Sequence, residues 1–420
     1  ILHIVPTYNP AFRRGGPIVS IHNFNKWLVR TGVNVTVYTT DIDTDSKVPI
    51  AQISKDGPKN ELILDGVKVY FFRASFPRVW EYWRVGFIPA FWSRHWEYSR
   101  DLHRALKTTA DDFDLLHITS TFLFASLLGA WYAKKNKKPY IISPRGNLME
   151  PLELKSPLKK RTYIAFIEHW ALRDAVLHFT APKEKMDYEK YHLPRYRSAI
   201  VIPNGIDEEE FLDAPKKSYF REKFNIDLNK KIVLFLGRLN WKKGLDTLIP
   251  AFARVAREDP EAILVIAGGD DGYKKEVEKL ILRTSDVLRT SGVPNVIFTG
   301  MLTGTDKIAA LQDAELFVLP SYSENFGMSV AEAMYFGLPV VVTPNVGLAP
   351  YIEEARAGLV VPKEEEKIAE AILKILRNPS LGQKMGEAGR KLSKENFTSD
   401  KIADKFIRAY NEIIKTHRNT

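Results

Sequence analysis

Short runs of β-branched and aliphatic residues alternate along the chain with longer amphipathic stretches. Ile1–Val5, Val33–Thr39, Val67–Phe72, Leu115–Ile118, Tyr140–Ser143 and Leu177–Thr180 read as one set of strands. Ile232–Gly237, Ile263–Ala267, Val296–Thr299, Leu316–Pro320, Val340–Thr343 and Leu359–Val361 read as a second set. A strand covered on both faces reads as a continuous apolar run, so the pattern predicts parallel sheets layered with helices. Near the end, Ile402, Phe406, Ile407, Tyr410, Ile413 and Ile414 recur at helical spacing, predicting an amphipathic helix over Lys401–Lys415 that docks on another element.

A turn-rich segment, Pro203-Asn204-Gly205-Ile206-Asp207, separates the two sets, and polar residues follow to about Lys230. A chain of 420 residues exceeds one ordinary core. The expected division is therefore 1–203 and 204–400, two similar α/β halves, with 401–420 as a terminal helix. In open parallel sheets ligands bind beyond the carboxyl ends of the strands, so two such halves would hold a ligand in the cleft between them.

Composition narrows the classes. The 45% hydrophobic and 27% charged content is that of an ordinary globular protein. No apolar run reaches the roughly 18 residues of a membrane span, and no signal-peptide pattern is read. Ile1 opens a core-strand pattern, so a few residues are expected to precede it. The absence of cysteine excludes disulfides and thiolate metal sites and fits a cytoplasmic location. A formal charge of +10 points to anionic partners without choosing among phosphorylated ligands, acidic lipid and nucleic acid.

Three clusters carry candidate chemistry. Residues 320–334, PSYSENFGMSVAEAM, place Glu324 and Glu332 eight positions apart. A helix from about Asn325 to Phe336, stopped by Gly337 and Pro339, would space them by about 12 Å. That approximates the span from sugar to ribose in a nucleotide sugar, with a helix N-terminus between them for the diphosphate. Carboxylates accept paired hydrogen bonds from sugar hydroxyls. The plainer reading makes Glu324 a partner of the helix dipole and Glu332 a solvated residue. In LFLGRLNWKKG, residues 234–244, Arg238 and Lys243 stand at a strand's carboxyl end, where guanidinium and ammonium suit phosphates. In RRGGP, residues 13–17, Gly15-Gly16 would let backbone approach a phosphate. It is not the GxGxxG dinucleotide fingerprint.

In this order the three clusters resemble the retaining glycosyltransferases of the GT-B fold, specifically glycosyltransferase family four. Gly237-Arg238…Lys243-Gly244, Glu324…Glu332 and Gly337-Leu338-Pro339-Val340-Val341 match that family's pattern, supported by VIPNGID at 201–207 and VIFTGMLT at 296–303. The resemblance covers nearly the whole chain. It implies two Rossmann-like domains facing across a cleft, with an acceptor-side domain first, a nucleotide-sugar domain second and a final helix returning to the first. It implies that Arg238 and Lys243 bind the donor diphosphate and that Glu324 contacts the transferred sugar. Gly15 and Gly16 would also line the donor site. Asn325, Phe326 and Gly327 would present backbone amides, Glu332 would hold the ribose, and backbone near Met301 would meet the base. The donor would be a UDP-, GDP- or ADP-sugar, with no other cofactor and no metal.

Two departures stand out. In LLHITST, residues 115–121, His117 matches the first histidine of a family H-x-H pattern and Thr119 replaces the second. In VVTPNVGLAPYIEE, residues 341–354, a common Gly-Gly…Pro-Glu pattern is missing. IISPRGNLME, residues 141–150, resembles an element of enzymes that build bacterial surface polysaccharides, such as lipopolysaccharide or capsule. It makes Arg145 and Asn147 candidates for an acceptor or cleft role; a structural turn at Pro144 and Gly146 is the alternative. His117 and Thr119 are candidates for the same role, and the plainer reading of His117 is a strand residue with a satisfied hydrogen bond rather than a catalytic group. The D-x-D-x-D of Asp41, Asp43 and Asp45 lacks the glycine and glutamate of a calcium loop and reads as a solvated turn.

The stretch 76–100 mixes Trp80, Tyr82, Trp83, Phe87, Phe91, Trp92 and Trp96 with Arg78, Arg84, Arg94 and Arg100. Such a surface suits an anionic headgroup zone, sugar stacking or nucleic-acid bases, and equally a packed helical insertion. With Lys155, Lys159, Lys160 and Arg161 it suggests peripheral contact with the cytoplasmic face of an inner membrane and a lipid-linked or growing glycan as acceptor. Competing readings are another GT-B enzyme, such as a nucleotide-sugar epimerase or a phosphorylase, and a non-enzymatic nucleic-acid binder. No RNP-like, zinc-finger or helix-turn-helix element supports the last of these, and no nucleic-acid partner is expected.

Overall fold

Fourteen strands build two sheets in the computed structural model, which describes residues 1–11, 16–43, 46–47, 60–74, 98–148, 168–190, 194–284 and 295–419. In the first sheet they are β1 (Leu2–Ile4), β2 (Thr36–Thr40), β3 (Glu61–Leu64), β4 (Val67–Phe72), β5 (Leu116–Thr119), β6 (Tyr140–Ser143), β7 (Val176–Phe179) and β8 (Ser198–Val201). Their order is β8-β7-β6-β5-β1-β2-β4-β3, and every pair is parallel except β3–β4. β3 is an edge strand that the hydrophobic pattern alone does not predict. The Asp65-Gly66 turn joins it to β4 with Leu64 opposite Val67, and Asp-Gly between apolar runs is a strong short-range hairpin signal. β8 is a second unpredicted edge strand.

The second sheet comprises β9 (Lys231–Leu236), β10 (Ala262–Ala267), β11 (Val296–Gly300), β12 (Leu316–Leu319), β13 (Val340–Val342) and β14 (Gly358–Val360). All six are parallel, in the order β11-β10-β9-β12-β13-β14. The chain runs outward from β9 to β11, then starts again on the other side of β9 with β12. The crevice between β9 and β12 is therefore a topological switch point, where an α/β sheet opens a ligand site at its carboxyl edge. β10, β12 and β13 are buried along their whole length, which is why they read as unbroken apolar runs.

Contacts divide the chain into two units, residues 1–205 with 399–420, and residues 206–398. Each carries one of the sheets. The last helix, Ser399–Arg418, is longer than the predicted Lys401–Lys415 and belongs to the first unit. Ile402, Phe406 and Tyr410 are its buried stripe, and Phe406 meets Phe24 of helix Gly16–Arg30 at 4.3 Å between ring centroids. Among the described residues no helix is long and apolar enough to cross a membrane.

Candidate active site

Two turns at the carboxyl edge of the second sheet meet at the switch point. After β9 the backbone passes through Gly237 and Arg238 into a short 3₁₀ turn, Trp241–Lys243, capped by Asn240, whose side chain accepts from Lys242 N at 3.0 Å. Gly244 ends that turn at φ 73 and opens helix Leu245–Glu258. A Cβ at Gly244 would stand 2.0 Å from the carbonyl oxygen of Pro320, just after β12, so only glycine lets the two turns touch.

The pairing of side chains follows from that approach. Lys243 Nζ donates to Glu324 Oε2, with the two side chains 18% and 20% exposed. Arg238 is more open and donates from Nη1 to Asp271 Oδ2 at 2.8 Å; Asn240 Nδ2 donates to the same oxygen at 3.0 Å. Tyr322 N donates to Lys242 O at 2.8 Å, and the Tyr322 hydroxyl donates to Asp246 Oδ2 at 2.6 Å.

Glu324 is not on the helix. That helix is Met328–Tyr335, capped by Gly327 in the left-handed region, so the predicted start near Asn325 is three residues too early. Glu324 instead forms a parallel bridge with Val346. Its N–H donates to Asn345 O at 3.0 Å, Gly347 N donates to its carbonyl at 2.9 Å, and Leu348 N donates to Phe326 O at 3.1 Å. The unusual 341–354 loop is thus a backbone clamp on residues 324–326. The 12 Å separation expected from helical rise does not apply, because only Glu332 rides the helix. Glu332 meets Lys307 Nζ at 3.1 Å, and Glu210 approaches the same ammonium at 3.6 Å. Burial alone would lower Lys307, but these two carboxylates outweigh it and hold its ammonium above the usual lysine range. Met301 follows β11 and is exposed.

In the first unit Gly16 is the first residue of its helix, and Gly15 lies outside the described residues. So do Asp45, Lys155, Lys159, Lys160, Arg161 and all of the aromatic, arginine-rich stretch except Tyr98, Ser99 and Arg100. His117 and Thr119, candidates for a cleft role, are enclosed in β5 instead. His117 Nδ1 shares a proton with the Tyr410 hydroxyl and Nε2 with Ser143 Oγ, both at 2.7 Å, and its ring stacks on His3 at 4.5 Å. Thr119 Oγ1 is 2.8 Å from His3 Nε2. A central parallel strand is covered on both faces, which leaves its side chains no open side. Arg145 and Asn147 sit beyond β6; Arg145 Nη1 donates to Asn204 Oδ1 at 2.6 Å, and Asn147 is exposed and donates to Ser120 Oγ at 2.5 Å.

The structure therefore brings Arg238, Lys243, Glu324 and Asn325–Gly327 to one crevice, with Glu332 on the helix that leaves it. Asp271, Lys307 and the Asn345–Gly347 clamp complete the arrangement and went unpredicted; the Gly-Gly-Asp-Asp run after β10 was the visible signal for Asp271.

Comparison with known proteins finds a family for each unit. Residues 15–205 match the glycosyl transferase 4-like domain, and residues 216–392 match glycosyl transferases group 1. Mannosylfructose-phosphate synthase of Agrobacterium fabrum is 29% identical over 285 residues, 67% of this chain and 61% of that protein, so the match spans less than two thirds of the relative. O-antigen chain mannosyltransferase C of Escherichia coli is 22% identical over 424 residues, 99% of both chains. Among solved structures, sucrose-phosphate synthase from Thermosynechococcus elongatus superposes with a TM-score of 0.72 at 20% identity, covering 99% of both chains. Anabaena HepE in complex with UDP gives 0.74 at 18% identity, covering 98% of this chain and 99% of that one. At those identities the structures show a shared fold. With one family matched in each unit and this fold throughout, the chain belongs to the GT4-type glycosyltransferases of the GT-B fold.

Proposed function

We propose that the protein is a retaining glycosyltransferase that moves a sugar from a nucleotide-diphosphate sugar to a hydroxyl of a lipid-linked or growing cell-surface glycan. The observation that carries the reading is the contact of Lys243 with Glu324 across the switch point, a cation from one strand end and a carboxylate from the other. Arg238 and Lys243 take the diphosphate, and Lys243 exchanges its carboxylate partner for a phosphate oxygen. Glu324 then turns to the hydroxyls of the transferred sugar. The amides of Asn325–Gly327 face sugar and phosphate, Glu332 holds the ribose, and backbone at Met301 meets the base. The names of two relatives, O-antigen chain mannosyltransferase C and alpha-monoglucosyldiacylglycerol synthase, support the acceptor class.

The reaction needs charge stabilisation more than covalent chemistry. The bond from the anomeric carbon to the phosphate oxygen breaks, and its electron pair stays on the phosphate. The acceptor oxygen bonds to the same face of the sugar and passes its proton to that phosphate oxygen. Placed cations stabilise the growing negative charge. No metal enters this scheme. Anomeric proton signals followed during the reaction are expected to show the donor's configuration in the product, at the same rate with or without EDTA. Inversion of configuration would sink the retaining assignment, and loss of activity in EDTA restored by a divalent cation would sink the metal-free one.

A thermal-shift panel of UDP-, GDP-, ADP- and CMP-sugars on the wild type and Glu324→Ala tests the site itself. A ligand that binds only the folded state raises its stability. One sugar class is expected to raise the wild-type Tm above the increment of its bare nucleotide. Glu324→Ala should keep the bare-nucleotide increment, because Lys243 is then released, and lose the part due to sugar. A panel in which no nucleotide sugar shifts either protein would refute the assignment of Glu324.

A further inference from the structure

Arg145 is a half-buried cation whose Nε is fully enclosed. It sits in the turn after β6 with φ 53, a left-handed conformation that costs a long side chain energy. Nη1 donates to two neutral oxygens, Asn204 Oδ1 at 2.6 Å and Ser20 Oγ at 3.5 Å. Nε is buried with no hydrogen-bond partner. Among the described residues the guanidinium makes no ion pair. The nearby Glu184 spends its oxygens elsewhere: Oε1 accepts from Gly146 N at 2.7 Å, and Oε2 accepts from Thr180 N at 2.7 Å and Thr180 Oγ1 at 3.0 Å. His3, His117 and His178 lie close by and supply no negative charge. Burial pulls the guanidinium down to about 10 while Glu184 opposes it, so Arg145 stays charged at neutral pH.

A charged fork held in place by neutral acceptors, with one buried donor unused, is pre-organised for an anion. Phosphate and carboxylate both match its paired donors. Asn147 and Ser120 stand at the same end of the sheet and offer neutral polar groups to a sugar. We propose that Arg145 is the receptor for an anionic group, phosphate or carboxylate, carried by the acceptor. The identification of the ligand as the acceptor rests on the glycosyltransferase reading; the anion site itself does not.

The test uses the full chain and two probes, inorganic phosphate and glucuronate, each against chloride at equal ionic strength. At least one is expected to raise the wild-type Tm, and which one does so identifies the anion. In Asn204→Asp a carboxylate takes the place of the amide oxygen on Arg145. That variant is expected to melt higher without ligand and to bind the probe about tenfold more weakly or worse, the size of one charge-assisted hydrogen bond. Arg145→Lys should retain part of the response and Arg145→Gln none. If the glutamine variant does not fold, the aspartate variant decides. The proposal is overturned if neither anion outdoes chloride, or if Asn204→Asp keeps the full increment, which would mark adventitious binding elsewhere on a basic surface. UDP is run in parallel: its increment should survive in Asn204→Asp. If UDP fails on the wild type while phosphate succeeds, only the donor reading falls.

Discussion

Replacing Lys243 with alanine is expected to lower kcat for sugar transfer by about 10²- to 10³-fold, the usual loss of one pre-organised donor at a site of developing charge. The side chain is 18% exposed, so its field is only weakly screened. In the free protein its charge is spent on Glu324. On the leaving phosphate negative charge grows as the glycosidic bond breaks, so the interaction strengthens towards the transition state and acts on kcat. The alanine variant also leaves Glu324 as a half-buried carboxylate with no cation, which repels a diphosphate and raises KM. The double variant Lys243→Ala/Glu324→Ala should therefore recover donor binding without recovering kcat. Arg238 pairs with Asp271 at an exposed position, 54% and 38% open, and its removal should cost less, about tenfold. Steady-state kinetics with the donor found by thermal shift measures all three. A Lys243→Ala kcat within threefold of wild type would remove this lysine from the mechanism.

Much of the second unit was legible because local pattern and local geometry agree there. β10, β12 and β13 are short unbroken apolar runs, and a helix begins seven to nine residues after each. Gly244 and Lys243 announce a tight turn beside a strand end. The start of the helix after Glu324 was placed too early because the conformation of residues 324–326 is set from outside their own segment. Residues 345–348 capture the backbone of Glu324 and Phe326, which postpones the helix until after Gly327. An E-x7-E spacing does not say which residues between the glutamates are helical. In the first unit the partners of His117 are 26 and 293 positions away, and Thr119 meets His3 across 116. Such contacts leave no period in the sequence. A histidine in a central strand looks the same whether it faces a ligand or its neighbours. β3 was missed, although Asp65-Gly66 carries the turn chemistry of a hairpin.

Acid should unfold the first unit steeply, because three histidines are buried there without charge. His3 and His178 are pulled down to about 3, chiefly by burial, and His117 goes well below its ordinary value for the same reason, reinforced by its neighbours His3 and His178. Asn25, Thr119, Tyr410, Ser143 and the carbonyl of Ile202 take their ring nitrogens, and Arg145 adds a positive charge nearby. A depressed folded pKa makes the unfolded chain the better proton binder below about 6.5, so stability falls as pH falls. Two buried carboxyls act with the opposite sign. Burial raises Glu168 to about 7, so between about 4.5 and 6.5 the folded unit holds a proton there that the unfolded chain does not, and burial raises Glu184 in the same direction. That offsets part of the histidine effect in this window. Below about 4.5 the carboxyls are protonated in both states, and three histidines act unopposed at about 4 kcal/mol per pH unit. Against a domain stability of about 5–15 kcal/mol, that slope denatures the unit within a few pH units. The second unit, residues 206–398, contains no histidine, and seven of the eight tryptophans lie outside it. Tryptophan fluorescence therefore reports almost wholly on the first unit. It is expected to show a shallow decline to about pH 4.5 and then a cooperative transition taking up about three protons, reduced to about two in His178→Gln. A flat signal to pH 3, or an uptake of less than one proton, would mean that the histidines are not buried neutral in solution.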